Sequence, residues 1–222
     1  MSQFAGKRDI GGTREKKMTN NYVYEFGDSL YLNITNRCPN NCEFCIRNIK
    51  DGVSGSELWL LKEPTYQELV DDLSMYDLKK YKEVVFCGFG EPLCNLSMIS
   101  QIGPYIKNKG CHVRINTNGL GNLINNRDDV AKLIAPYVDS VSISLNASNK
   151  ETYQEICRSK YGEAAFDAML KFTKDCVDAG IDTTMSVVDF IGEDEIKACG
   201  ELAKQAGAHY KVRETIREDT EY

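Results

Sequence analysis

Cys38, Cys42 and Cys45 stand in the run Cys38-Pro-Asn-Asn-Cys-Glu-Phe-Cys45, a C-x₃-C-x₂-C spacing. Three thiolates on one short loop can converge on one inorganic centre. A structural zinc site closes its shell with four ligands. An iron–sulfur cubane takes one protein ligand per iron, normally four cysteines. Three cysteines therefore leave one iron open, which a cluster needs in order to bind a small molecule and act on it. The spacing points to a [4Fe–4S] centre held by Cys38, Cys42 and Cys45. A zinc loop completed by a distant Cys or His is the competing reading, and a disulfide framework stands behind it.

The elements that must position this loop follow from the apolar pattern. Strand-like runs rich in β-branched residues alternate with helix-period segments from residue 21 onward. Strands are expected at about 29–35, 83–87, 111–116, 139–146, 182–189 and 209–213. Helices are expected near 65–78, 95–108, 127–136, 149–156, 163–179 and 193–206, the first opened by Pro64. Six strand–helix alternations, with short connections except after strand one, predict a parallel α/β sheet, and repeated right-handed crossovers curl it. A complete (β/α)₈ barrel needs two further units, so a partial (β/α)₆ TIM-like barrel is expected. Residues 1–20 are polar, basic and glycine-containing and are expected to form a flexible tail, with one domain over 21–222. Trp59 is expected either to shield the cysteine loop or to open a core helix.

Parallel-sheet enzymes place their chemistry at the carboxyl ends of the strands. The polar motifs fall there: the cysteine loop after strand one, Gly88-Phe89-Gly90-Glu91-Pro92 after strand two and Asn116-Thr117-Asn118-Gly119 after strand three. Ser144 and Asn146 end strand four. Arg158 interrupts the helical stretch that follows. Arg47 can offset the charge of an anionic cluster. Asp189, Lys211 and Arg213 are candidates to line a substrate pocket, and Cys87 or Cys94 could offer a thiol to a substrate radical. His112 and His209, the only histidines, belong to no recognisable catalytic pair.

The chain has 222 residues, 42% hydrophobic and 27% charged, enough to bury a full core. A net charge of -6 gives no support to nucleic-acid binding. The longest apolar runs are strand-sized, so no membrane span is expected, and no apolar signal segment opens the chain. Nine cysteines, an odd number without a second C-x-x-C, fit a reducing, cytoplasmic compartment and a single cluster.

The cysteine run, with Phe44 just before its third cysteine, resembles the signature of the radical S-adenosylmethionine (SAM) enzymes. Gly88-Phe89-Gly90-Glu91 is similar to their Gly-Gly-Glu stretch, with Phe89 in place of the first glycine of that pattern. The phrases Tyr31-Leu-Asn-Ile-Thr-Asn-Arg-Cys38, Cys45-Ile-Arg-Asn48 and Asn116-Thr-Asn-Gly119 resemble the TatD nuclease-associated radical SAM proteins. The resemblance implies S-adenosylmethionine as second cofactor, its amino group met by backbone at Gly88, Phe89, Gly90 and Glu91. Asn116, Thr117, Asn118, Ser144, Asn146 and Arg158 would serve its ribose and carboxylate or the substrate. It also implies a flavodoxin- or ferredoxin-type one-electron reductant, a small-molecule or protein substrate, and a functional link to a TatD-type nuclease. An activase acting on a partner protein and a non-enzymatic electron carrier are the alternatives.

Overall fold

The computed structural model describes residues 18–215. Seven strands form its main sheet: β1 (Val23–Phe26), β2 (Ser29–Leu32), β3 (Val84–Phe86), β4 (Val113–Thr117), β5 (Ser140–Ser144), β6 (Asp182–Val188) and β7 (His209–Arg213). Their spatial order is their chain order, and every pair from β2 to β7 is parallel. The expected six parallel strands are therefore present. The antiparallel edge strand β1 is an addition to that expectation. Its signal was a two-residue Gly27-Asp28 turn, with Gly27 at φ +60°, between alternating apolar residues.

Among the described residues, seven α-helices accompany the sheet: α1 (Tyr66–Ser74), α2 (Leu96–Asn108), α3 (Gly121–Asn125), α4 (Val130–Ile134), α5 (Lys150–Cys157), α6 (Ala164–Asp178) and α7 (Glu193–Gln205). Their starts follow local chemistry. Thr65 and Glu68 form a reciprocal capping box on α1, Asn95 caps α2, and Asn149 caps α5. Of the helix expected over 127–136 only Val130–Ile134 (α4) is helical, and α3 is an additional short helix before it, ended by the left-handed Asn126 (φ +49°). No helix among the described residues is long and apolar enough to cross a membrane.

Along β4, Val113, Ile115 and Thr117 are buried while Arg114 and Asn116 are half-buried. β5 repeats the pattern, with Ser142 and Ser144 half-buried. One face of the sheet is thus apolar and lies under the helices, against Ile99, Ile102, Met169 and Phe172. The other face is polar, and in-register pairing brings Asn116, Ser142 and Thr184 side by side along it. Burying the apolar face stabilises the fold at about 25 cal/mol per Å².

Residues 1–17 of the expected tail lie outside the described residues. Met18–Thr19 is not tail: it pairs in parallel with Trp59–Leu60. Trp59 is consequently extended and does not open a helix. Its ring meets Phe89 edge to face at 5.2 Å, within a small cluster that includes Tyr24 and Leu58.

Gly103, inside α2, leaves room for the Tyr137 ring; a Cβ there would stand 2.3 Å from Tyr137 Cδ2. Helix propensity alone favours alanine by about 1 kcal/mol. Overpacking opposes it by about 1–3 kcal/mol. Gly103→Ala should therefore lower the unfolding free energy, measured by urea denaturation; a gain in stability would contradict this packing.

Candidate cofactor site at the carboxyl rim of the sheet

The cysteine loop leaves β2 and is held at both ends. On its entry side Asn36 pairs with Leu60, amide to carbonyl at 2.8 Å and backbone N–H to Oδ1 at 3.1 Å. Arg37 makes a two-pronged bond to Glu63 at 2.6 and 3.1 Å, and Thr35 Oγ1 donates to the same carboxylate. Further along, the Asn41 N–H donates to the Cys157 carbonyl at 3.0 Å, and the Glu43 N–H to Ile156 at 3.0 Å. Lys160 N–H returns a bond to Pro39 at 2.9 Å. The last carbonyls of a helix lack partners within the helix, so the loop satisfies the end of α5 while α5 fixes the loop.

Cys38, Cys42 and Cys45 are half-buried free thiols on this loop. Burial pushes Cys38 up to about 12 and Cys45 up as well. Cys42 is raised first by a side-chain hydrogen bond with Cys157 and then by burial. Arg47 opposes the rise at all three, and its guanidinium donates to the Asn40 carbonyl at 3.0 Å. A single tetrahedral zinc would draw its sulfurs within about 4 Å of one another. No three Cys, His, Asp or Glu side chains among the described residues are grouped to hold one ion in that way. A cubane offers each thiolate its own iron, and three free thiols on one loop are such a donor set.

The glycine motif leaves β3 directly beside the loop. A Cβ on Gly88 would lie 2.1 Å from Asn33 Oδ1, and one on Gly90 2.2 Å from the Thr35 carbonyl. These glycines provide close approach rather than left-handed backbone, since neither has positive φ. Phe89, where the family pattern has glycine, turns its ring away into the Trp59 cluster. The Glu91 N–H donates to the Arg37 carbonyl at 2.8 Å and ties this motif to the cysteine loop.

Glu91 is buried, and its carboxylate is fully engaged. It accepts from Thr117 Oγ1 at 2.7 Å, Asn118 N–H at 2.7 Å and Leu93 N–H at 3.0 Å. The side chain therefore braces the turn after β3 against the turn after β4. Burial pushes its carboxyl up to about 7, although the three donors pull it down. Asn118 Oδ1 accepts from Leu120 N–H at 3.0 Å, while Asn118 Nδ2 is buried without a partner. Asn116 Oδ1 accepts from Arg114, whose guanidinium also clasps Glu83 at 2.8 and 2.9 Å.

Ser144 faces the polar side of the sheet, in register with Ser186. Asn146 is left-handed (φ +62°) and buried, with Nδ2 on Cys157 Sγ at 3.7 Å and Oδ1 unpartnered. Arg158 is also left-handed, and it forms a surface ion pair with Glu43 at 3.2 Å. Asp189 accepts from Thr215, and Lys211 is exposed on the edge strand β7. His112 and His209 lie at the opposite, amino ends of β4 and β7, against Ser140 and Asp182. The sequence reading passed over Tyr153 and Asn40. Tyr153 lies four residues before Cys157, so both occupy one helical face beneath the loop, and its hydroxyl accepts from Asn40 at 3.3 Å.

The loops after β2, β3 and β4 and the end of α5 thus meet at one rim. Unpartnered buried atoms of both kinds, a donor on Asn118 and an acceptor on Asn146, stand there beside three free thiols. The model of the radical SAM superfamily matches residues 32–203, well over half the chain, and the protein belongs to that superfamily. It is 27% identical over 204 residues to the "Probable GTP 3′,8-cyclase" of Methanothermobacter thermautotrophicus, covering 86% of this chain and 59% of that protein. Streptococcus suis SuiB bound to S-adenosylmethionine superposes with a TM-score of 0.65 at 14% identity, over 86% of this chain and 41% of SuiB. Methylornithine synthase (PylB) gives 0.63 at 12% identity, over 87% of this chain and 56% of PylB. The chain therefore spans about two fifths to three fifths of the length of these proteins.

The Glu91 carboxyl has a definite pH signature. Its folded value lies above the ordinary value of about 4.3, so the native state holds this proton more tightly than the unfolded chain. Its contribution to stability is full below about pH 4.3 and is lost as pH rises through about 7. The unfolding free energy of the wild type relative to Glu91→Gln should fall between pH 5 and 8, by on the order of 3 kcal/mol at most. Urea denaturation of both proteins across that range checks it; a flat difference would show that the carboxylate is ionised throughout.

Proposed function

We propose that this protein cleaves S-adenosylmethionine reductively at a [4Fe–4S] cluster held by Cys38, Cys42 and Cys45. The observation that carries the reading is the placement of three free thiols where the loops after β2, β3 and β4 are tied together by Glu91. One-electron reduction of that cluster would let S-adenosylmethionine supply a 5′-deoxyadenosyl radical for hydrogen abstraction from substrate.

The protein's share is binding, orientation and exclusion of water. Arg47 offsets the charge of the thiolates. Because the Glu91 side chain is occupied in bracing, the amino group of S-adenosylmethionine falls to backbone carbonyls of Gly88, Phe89 and Gly90. Asn118 Nδ2 and Asn146 Oδ1 offer one donor and one acceptor to its ribose and carboxylate. Asn116 keeps only its amide N–H groups for a ligand, since Arg114 holds its oxygen. Thr117 acts through Glu91, and Ser144 faces the substrate side. Arg158, paired with Glu43, supports the loop from outside.

The polar face formed by Tyr31, Arg114, Asn116, Ser142 and Thr184 suits a polar substrate. The phrases around Cys38, Cys45 and Asn116 further support membership of the TatD nuclease-associated group, with a TatD-type nuclease as functional partner and a flavodoxin or ferredoxin as reductant. Nine free thiols agree with a reducing, cytoplasmic setting.

Alanine at Cys38, Cys42 or Cys45 should abolish the cubane, whereas alanine at Cys111, Cys176 or Cys199 should leave it, as read by iron content and electron paramagnetic resonance. S-adenosylmethionine should perturb the spectrum of the reduced cluster and yield 5′-deoxyadenosine. Asn118→Ala should retain iron but weaken S-adenosylmethionine binding by about 0.5–1.5 kcal/mol. A spectrum unmoved at saturating S-adenosylmethionine, with no 5′-deoxyadenosine, would refute the reading in favour of an electron carrier.

A further inference from the structure

The surface around the cysteine loop is basic, in a chain whose net charge is -6. Residues 36–50 and 157–162 hold five cations, Arg37, Arg47, Lys50, Arg158 and Lys160, against one carboxylate, Glu43. Asp51, Glu155 and Glu163 stand at their margins, and Glu163 is engaged by Lys150 at 3.6 Å. The two segments form one surface, because the Asn41 N–H donates to the Cys157 carbonyl and the Lys160 N–H to that of Pro39.

These cations differ in how far they are compensated. Arg37 pairs with Glu63, and Arg158 with Glu43. Arg47 and Lys160 meet no carboxylate among the described residues: Arg47 donates to the Asn40 carbonyl at 3.0 Å, and Lys160 Nζ lies 4.9 Å from the centre of the Tyr161 ring. Lys160 is exposed, as are the guanidiniums of Arg37 and Arg158. Exposed charges of this kind add little to stability, but clustered with one sign they steer an oppositely charged partner. An acidic protein repels an acidic partner over most of its surface. This one offers such a partner a favourable approach at the loop that carries the three thiols.

We propose that this basic surface docks a small acidic one-electron carrier protein, which delivers its electron to the cluster through the cysteine loop. This rests on the reading that Cys38, Cys42 and Cys45 bind the [4Fe–4S] centre. The cations flank that loop, so a carrier held by them is held at the cluster. The reduced carrier is oxidised by one electron, and the oxidised cluster is reduced by the same one. A nucleic acid shares the negative charge but brings no electron, and a redox centre on this loop needs one.

The test uses the full chain reconstituted anaerobically as wild type, Lys160→Gln, Lys160→Glu, and Lys50→Glu combined with Lys160→Glu. Lys109→Glu is the control: Lys109 Nζ lies 5.4 Å from the Tyr105 ring, in a similar contact, but it precedes β4 and so stands at the opposite rim. Iron and sulfide are counted first. Binding of a flavodoxin and, separately, of a ferredoxin is then measured by isothermal titration calorimetry at rising salt, and cluster reduction by each reduced carrier is compared with reduction by dithionite. At least one carrier should bind the wild type, more weakly as salt rises, since exposed charges are screened beyond about 10 Å at 0.1 M. Its Kd should increase roughly two- to fivefold in Lys160→Glu, further in the double reversal, less in Lys160→Gln and not in Lys109→Glu. Dithionite should reduce every protein alike. Failure of both carriers to bind, or reversals that bind as tightly as wild type, overturns the proposal. A single-stranded oligonucleotide that binds this surface more tightly than either carrier overturns the choice of partner. A wild type that builds no [4Fe–4S] cluster overturns the underlying cluster assignment instead, a result read from iron and sulfide before any carrier is added.

Discussion

The site depends on one exchange of backbone hydrogen bonds, between the cysteine loop and the carboxyl end of α5. A helix ends with carbonyls that have no partner inside it, and a loop carrying three cysteines has amides to spare. Asn41 and Glu43 donate to Cys157 and Ile156, and Lys160 returns a bond to Pro39. Neither partner is complete without the other. Because α5 is itself anchored by the buried Tyr153, Ile156 and Cys157, the loop inherits the rigidity of the core. A cofactor site needs supporting groups of this kind to hold its ligands in place.

Glu91 plays the matching part on the other side. A buried carboxylate is costly unless its oxygens are hydrogen-bonded, and here they are met by Leu93, Thr117 and Asn118. Two turns from separate strands are thereby locked together. Its backbone N–H reaches Arg37 and adds the cysteine loop to the set. The glycines on either side of Phe89 allow this crowding, because a Cβ at either would run into Asn33 or Thr35.

The sheet itself divides the labour between its faces. The apolar face packs against the helices, and the polar face sets Asn116, Ser142 and Thr184 side by side. Arg114 shows how the two are connected. Its guanidinium is held by Glu83, and it in turn fixes the oxygen of Asn116. The orientation of a side chain on the polar face is thus set by an ion pair nearer the amino ends of β3 and β4.

The cysteine spacing, the strand–helix alternation and the position of each polar motif just after a strand were legible in the amino-acid sequence, because each depends on contacts a few residues apart. The parallel order of β2 to β7 followed from the short connections and the handedness of crossovers. The Gly27-Asp28 hairpin was legible too, though it went unread. Other features depend on residues far apart in the chain, for which local spacing carries no signal. Trp59 meets Phe89, Glu91 meets Thr117, and Asn41 meets Cys157 only once the strands have paired and α5 has docked. The sequence by itself determined which groups could bind a cluster and at which rim they would stand. Tertiary packing alone decided which way each side chain turns, since burial leaves a polar atom only the partners that folding brings to it.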